Sequence, residues 1–487
     1  MPLTFQRNLW VLAAAVFCAL LIWRFVHLPN APFLNDEPRL LVEVEKSFAN
    51  HTWPKMGPVG SQPIPYGPIP HWFFQIARSL SASPFFFHQI HGLVFLGSTV
   101  LAFLLALYLY GISSALFVGL LLVSSPYLFI YSQMPWEVLL LIPGSVLVAF
   151  SLVAYESATK PLQWIQAGLI AGLGLGICLG THLMASSLMI AFVLLMGFDI
   201  YRWQNWRRAG FFLLPALLIF CLLLSPYALG ILEFLNHHHL SAQRDKNPLW
   251  GNGRQLWWSI LKTPMHLSPW QMKGFFEPEE GLFFAFLPKW LERFFYFDLF
   301  GWLGKFFFWA AWVAIARSLW RRENVSSLVL LGWLLVPAHI FLLQLLNLAT
   351  YPHYFLPLWW VPFLFLGRFW EHRWIGKLLL ALVIGNLVYL FSLAAFVQER
   401  AGTRGDYYGT TYQEQENFFQ AVCAREGSLI RLDLSQVRIQ THVANYFFLK
   451  LAACRGKSKE ISKIPLAGSY LLADYAEGAR LKIEERQ

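Results

Sequence analysis

The chain is a succession of long apolar runs separated by short polar joins. Runs long enough to cross a bilayer lie at about 9–27, 90–110, 114–132, 136–154, 163–180, 182–199, 211–230, 300–317, 325–347, 354–368 and 376–397. Each predicts a membrane-spanning helix, about eleven in all. The fifth and sixth adjoin without a polar loop, and Gly172, Gly174, Gly176 and Gly180 crowd their meeting point. That is the pattern of a broken or re-entrant helix.

Three segments fall outside this pattern: 28–89, 231–299 and a tail over 398–487. In the first, Asn35 to Pro54 reads NDEPRLLVEVEKSFANHTWP. Pro38 suits a first helical turn, and Asn35 or Asp36 suits the N-cap. Leu40, Leu41, Val44 and Phe48 make one apolar face, with Glu43, Glu45 and Lys46 mostly elsewhere. This predicts an amphipathic helix lying on the membrane surface, with Asp36 at its start. The tail opens with a glycine-rich turn, Gly402 to Gly409, and a helix is expected from Tyr412 to Arg425. Ile430, Leu432 and Leu434 then alternate with Arg431, Asp433 and Ser435, as in a half-buried strand, and Ser469–Ala473 predicts another. The expected fold class is an all-α polytopic membrane domain (1–397) with a small C-terminal α/β soluble appendage (398–487).

Composition agrees. Of 487 residues, 57% are hydrophobic and only 13% charged, about half the charge of a soluble domain. Lipid must therefore take part of the apolar surface. The formal net charge is +10. With no nucleic-acid motif present, nucleic acid is not an expected partner. The basic residues are explained by topology instead. With the N-terminus inside, the inner loops carry Lys160, Arg202, Arg207, Arg208, Arg317, Arg321, Arg322, Arg368, Arg373 and Lys377. The short outer joins at Ser132–Pro135, Gly180–Thr181 and Leu348–Pro352 carry no Lys or Arg. This matches the positive-inside rule, and an odd span count puts the tail outside. After the first run come Trp23, Arg24 and Phe25 rather than a small-residue cleavage site, so that run is read as an uncleaved span. Cys18, Cys178 and Cys221 lie in spans, whereas Cys423 and Cys454 lie in the tail, where an oxidising compartment permits a bridge.

Here the sequence resembles a known family. A first span, an outer loop opening on the Asp36–Glu37 pair, a surface helix and the Pro/aromatic stretch PIPYGPIPHWFF (Pro63 to Phe74) are similar to the GT-C membrane glycosyltransferases. Protein O-mannosyltransferases and lipid A aminoarabinose transferases are the nearest members. They take a sugar from a polyprenyl-phosphate carrier and pass it to an acceptor on the outer face. The resemblance implies such a donor, a protein, lipid or glycan acceptor, and a bacterial inner-membrane location with a periplasmic tail. It marks Asp36 as general base of an inverting transfer, with Glu37 and Glu137 as further acidic candidates. Glu137 opens the fourth span in QMPWEVLL. The family's aromatic-x-Leu-Pro stretch reads HYFLPL here, with His353 in place of the usual Arg or Lys. That marks His353 and Tyr354, helped by Lys305, as carrier-phosphate contacts. Aminoarabinose transferases carry a second acidic residue late in the first loop. This chain has Tyr66 and Gly67 in the comparable region, which points away from that sugar.

The chemistry explains the residue types. An acceptor hydroxyl is a poor nucleophile, and a carboxylate can take its proton as it attacks the anomeric carbon. The departing lipid phosphate needs donors or cations nearby. Neutral His353 can donate one hydrogen bond, and beside a phosphate it could also take a proton. No dissociable nucleotide is required, and the sequence leaves a divalent cation open as a cofactor. Each candidate has a structural alternative: Asp36 as an N-cap, Glu37 and Glu137 as helix-dipole partners, His353 as part of an aromatic belt, and Lys305 as the ion-pair partner of Asp298. The run His237–His239 reads as a solvated loop rather than a metal site. Trp257, Trp258 and Trp270 read as headgroup anchors rather than sugar platforms. Other function classes are a transporter or lipid-linked glycan flippase, and a non-catalytic assembly subunit. Few ionisable residues lie in the central spans, which disfavours the transporter.

Overall fold

The computed structural model describes the chain from Leu3 to Arg486, except 34–35, 59–64, 84, 238–252, most of 268–297, 322, 324, 347–350, 405–407, 426–428, 438, 440, 452–453, 455–457, 463–469 and 477–478. The run His237–His239 and Trp270 fall on or beside these gaps, so the expectations about them lie outside the described residues. The same holds for Asn35 as a cap.

The membrane part is built from α1 (Leu3–Val26), α4 (Phe86–Ser124), α5 (Pro126–Tyr131), α6 (Leu141–Ser157), α7 (Pro161–Leu179), α8 (Ser186–Trp203), α9 (Trp206–His237), α11 (Leu299–Trp320), α12 (Ser327–Leu345), α13 (Val361–Gly367) and α14 (Arg373–Arg400). Among the described residues, seven helices are each long and apolar enough to cross a membrane. The second expected span and the start of the third are the two helical halves of α4, which meet at a kink at Gly111. Gly111 has φ +80°, a left-handed conformation that favours glycine, and so permits the turn. The tenth span is a 3₁₀ segment, Pro352–Leu358, running into the short α13. Pro357, inside the stretch, has no N–H to give a regular α-helix there.

The expectation of a broken fifth or sixth helix is corrected. α7 and α8 are both full-length, joined by a tight turn and a 3₁₀ segment at Leu183–Ala185. The glycines serve close packing instead. α7 is packed between α6 and α9. A Cβ on Gly174 would come within 2.7 Å of the Gly144 carbonyl oxygen, and Gly168 and Gly172 lie as closely on the carbonyls of Phe212 and Ala216. Backbones approach this closely only where side chains are absent.

The first large loop carries α2 (Asp36–Ala49) and α3 (Ile69–Leu80). The C-terminal segment carries α15 (Tyr412–Ala424), α16 (Thr441–Lys450) and a four-stranded sheet in the order β2 (Ser458–Ser462), β1 (Leu429–Asp433), β3 (Tyr470–Tyr475), β4 (Leu481–Arg486). β1 pairs parallel to β2 and β3, and β3 pairs antiparallel to β4. Ile430, Leu432 and Leu434 face inward, as the alternation requires. Cys423 and Cys454 form a disulfide with Cα atoms 4.9 Å apart.

The surface-helix expectation needs a second correction. The apolar face of α2 does not rest on lipid headgroups. Leu40, Leu41 and Val44 are fully buried in one core with Phe74, Phe87, Tyr412, Phe419 and Phe447. An apolar face is removed from water just as well by a protein partner, and the C-terminal segment supplies one. Glu45 fastens the contact, accepting from Lys450 at 2.6 Å and pairing with Arg78 at 2.9 Å. Tyr412 also donates its backbone N–H to the Ala31 carbonyl at 2.9 Å. The loop after the first span and the tail after the last therefore lie on one side of the membrane.

Candidate active site

Four pieces of chain meet where the bundle ends beneath the loop and the C-terminal segment. The first is the start of α2. Asp36 is its first residue and is exposed, Glu37 is buried and Arg39 is half-buried. α16 packs on α2. Protein around the Asp36 carboxyl raises its pKa by desolvation, while Arg39 and His442 of α16 work against the rise. His442 is a contribution of the tail that the local sequence around Asp36 does not announce.

The second piece is the 3₁₀ turn Glu137–Leu140 ahead of α6, which contacts α2 and α3. Glu137 is 3% exposed, and its Oε2 has no hydrogen-bond partner among the described residues. Asp36 and Glu37 are its electrostatic neighbours. Three carboxyl groups thus share one corner.

The third piece is the proline-rich end of the first loop. The Gly57 N–H donates to the Tyr66 carbonyl at 2.8 Å, and the Tyr66 N–H donates to the Pro58 carbonyl at 3.1 Å. Tyr227 of α9 donates its hydroxyl to the Pro65 carbonyl at 2.8 Å. Gly67 lies directly on the Gly180 backbone, leaving no room for a Cβ, and Ile69 N–H donates to the Gly180 carbonyl. The apolar α7–α8 join is therefore the seat of this loop. Burial pushes the Tyr66 phenol above its ordinary range, and Glu137, Tyr354 and Asp36 add to that, with Arg39 opposing. One hydroxyl feels all of these groups, so they converge.

The fourth piece is the 3₁₀ segment Pro352–Leu358 with the turn at His182. The His353 ring lies 4.8 Å from Trp136, 4.5 Å from Tyr354 and 6.4 Å from His182. The His182 ring lies 5.1 Å from Tyr66 and 5.5 Å from Tyr354. His182 accepts the Met184 backbone N–H on Nδ1 at 3.0 Å, so in the neutral ring Nε2 carries the proton. His182 was not legible as a site residue, since a lone histidine at a helix join is usually structural. His353 is half-buried, and its neutral ring can donate one hydrogen bond.

Asp36, Glu37, Glu137, Tyr66, His353 and Tyr354 are thus brought into one region. Lys305 is engaged elsewhere. It is buried on α11, pairs with buried Asp298 at 3.1 Å and lies 4.6 Å from the Trp302 ring centre. A buried ammonium takes the carboxylate within reach. Trp257 and Trp258, on α10 (Gly253–Lys262), are exposed. No group of three or more His, Cys, Asp or Glu side chains able to hold a metal occurs among the described residues.

The fold is GT-C-like, an α-helical membrane fold with a small C-terminal sheet. Two solved structures of ArnT from Cupriavidus metallidurans share it, each at TM-score 0.56 and 12% identity. The apo structure covers 95% of this chain and 86% of that one. The one bound to undecaprenyl phosphate covers 93% and 85%. The archaeal oligosaccharyltransferase AglB from Archaeoglobus fulgidus aligns at TM-score 0.46 and 10% identity, over 91% of this chain and 64% of that one. No protein-family model and no curated protein matches the sequence.

Proposed function

We propose that this chain is a glycosyltransferase that moves a sugar from a polyprenyl-phosphate carrier to an acceptor on the outer membrane face. The observation that carries this reading is the convergence of Asp36, Glu137, Tyr66, Tyr354 and His353 in a GT-C-like fold. The similar ArnT structure bound to undecaprenyl phosphate supports the donor class. In the proposed topology the N-terminus is cytoplasmic and the tail lies outside, in a bacterial inner membrane. The lack of Lys or Arg in the short joins on the tail's side supports that orientation.

The reaction is a single displacement. The acceptor oxygen bonds to the anomeric carbon as the bond to the carrier phosphate breaks, inverting that carbon. The acceptor proton goes to Asp36, and the bonding pair leaves with the phosphate. Asp36 suits the base role because it is the exposed member of the carboxyl group, open to an acceptor arriving from water. Donors at the opposite wall, the His353 and His182 rings and the Tyr66 hydroxyl, suit an anionic leaving group without placing fixed positive charge there. Arg39 supplies the nearby cation. Glu137 and Glu37, buried beneath, orient sugar hydroxyls or hold the corner acidic.

Asp36→Asn tests the assignment. Asparagine keeps shape and helix-start preference but cannot take the proton. The purified variant is expected to fold and insert normally and to lose roughly 10²-fold or more in turnover of a polyprenyl-phosphate-sugar donor. Near-normal transfer would remove Asp36 from the mechanism and make Glu137 the next candidate.

A further inference from the structure

A second polar feature lies apart from the carboxyl corner, and none of its residues belongs to the site above. Arg24 sits in the last turn of α1 and is only 5% exposed. Its Nη2 donates to the carbonyls of Leu122 at 3.3 Å and Ser125 at 2.9 Å, closing the C-terminal end of α4. The Phe95 and Phe129 rings flank the guanidinium, each 5.7 Å from it. Nε and Nη1 have no partner among the described residues, and no carboxylate there pairs with Arg24. Arginine stays charged at any ordinary pH. Two carbonyls and two ring faces offset part of that charge, but three N–H bonds and the countercharge remain unmet.

Arg24 also lines a cleft at the membrane boundary. Leu21, Phe25 and Leu28 form one wall, Gly92, Phe95 and Leu96 the other, with Ser132 at one end. It is shallow and open on one side, with about 310 Å³ of free space when the open space at its mouth is included. Gly92 helps keep it open, since a Cβ there would lie 3.3 Å from Leu28. An apolar cleft with one unpaired cation matches a molecule that has a greasy body and a single negative charge. The cleft lies where α1 ends and the chain passes into the first large loop.

We propose that this cleft binds one anionic phospholipid of the leaflet facing the first large loop, with its phosphodiester on Arg24 and its glycerol and upper acyl carbons against Leu21, Phe25 and Leu96. A phosphodiester carries one charge and suits one guanidinium. A carrier phosphate monoester carries closer to two at neutral pH, and no second cation lines the cleft.

The test is native mass spectrometry of the full-length protein, delipidated and then offered phosphatidylglycerol, phosphatidylcholine or polyprenyl monophosphate separately. Wild type is expected to retain one phosphatidylglycerol at least several-fold more tightly than phosphatidylcholine. Arg24→Gln should lose that preference. Leu96→Trp fills the cleft without touching the bonds to Leu122 and Ser125, so it decides the matter if Arg24→Gln fails to fold. It too should lose the retained lipid. Equal retention of the two phospholipids by wild type, or wild-type retention in Leu96→Trp, overturns the proposal. Preferential retention of polyprenyl monophosphate overturns it in favour of a carrier site.

Discussion

At the scale of single residues, the acid corner makes a pH-dependent prediction. The base must be ionised to work, so transfer should rise with pH through the Asp36 pKa. Although the residue is exposed, desolvation by the protein beside its carboxyl raises that pKa above the ordinary carboxylate value of about 3.9, and Arg39 and His442 pull it back. Arg39→Gln removes the opposing charge. The acid limb of the rate profile should therefore move to higher pH, while the rate at the alkaline plateau shows whether Arg39 also holds the leaving group. A limb that stays in place, or moves down, would mean that another group titrates. His353 gives a prediction of a different kind. Its neutral ring can donate one hydrogen bond to the carrier phosphate. His353→Ala should weaken use of the lipid-linked donor by roughly 10-fold, the value of about one hydrogen bond to a charged group. His353→Arg should retain part of it. Unchanged donor KM and kcat in both variants would reject the role.

At the scale of elements, α7 is held by backbone contact rather than by side-chain bulk. Gly168→Val and Gly172→Val place side chains against the carbonyls of Phe212 and Ala216. Each should cost about 1–3 kcal/mol through overpacking. This would be read as a lower midpoint in thermal unfolding of the detergent-solubilised protein. Gly197→Ala on α8 is the control, since nothing lies within 4 Å of its Cβ position, and it should be near neutral. The same tightness sets the site. Gly67 sits on Gly180, and this seats Tyr66 beside His182 and Tyr354. A side chain at Gly67 should therefore reduce activity through Tyr66 without changing the carboxyl groups.

At the scale of the whole molecule, the C-terminal segment is packed into the side that carries the candidate site rather than hanging as a pendant. It covers α2, sets Glu45 between Lys450 and Arg78, and brings His442 toward Asp36. The disulfide closes a separation of 31 residues inside it. Cys423→Ser should destabilise this segment by roughly 4 kcal/mol by the loop-entropy estimate. Protease resistance of the tail is the direct readout. In the unreduced wild type, Cys423 and Cys454 should resist alkylation, and two freely labelled thiols would contradict the bridge. Loop and tail share one side, so an even number of crossings must separate them, as ten do between a first and an eleventh span. A reporter fused after Gln487 should therefore be active only in the compartment where a reporter inserted near Trp53 is active.

The sequence by itself determined the membrane class, the approximate span positions, the amphipathic α2, the helix at Tyr412 and two strands of the sheet. Each is written in local periodicity, and burial in lipid or against one face depends on little else. The acidic pair, Glu137 and the His353–Tyr354 stretch were legible as candidates because polar residues at the boundary of apolar spans stand out. Only the tertiary structure decided what covers α2, since an apolar stripe is the same whether lipid or protein meets it. It alone showed that the glycines of α7 mark packing, because a missing side chain does not say what lies against it. His182, Arg39 and His442 came to the site from separate stretches of chain, and Lys305 went to Asp298. Such pairings depend on distances between elements far apart in sequence, and local pattern does not encode them.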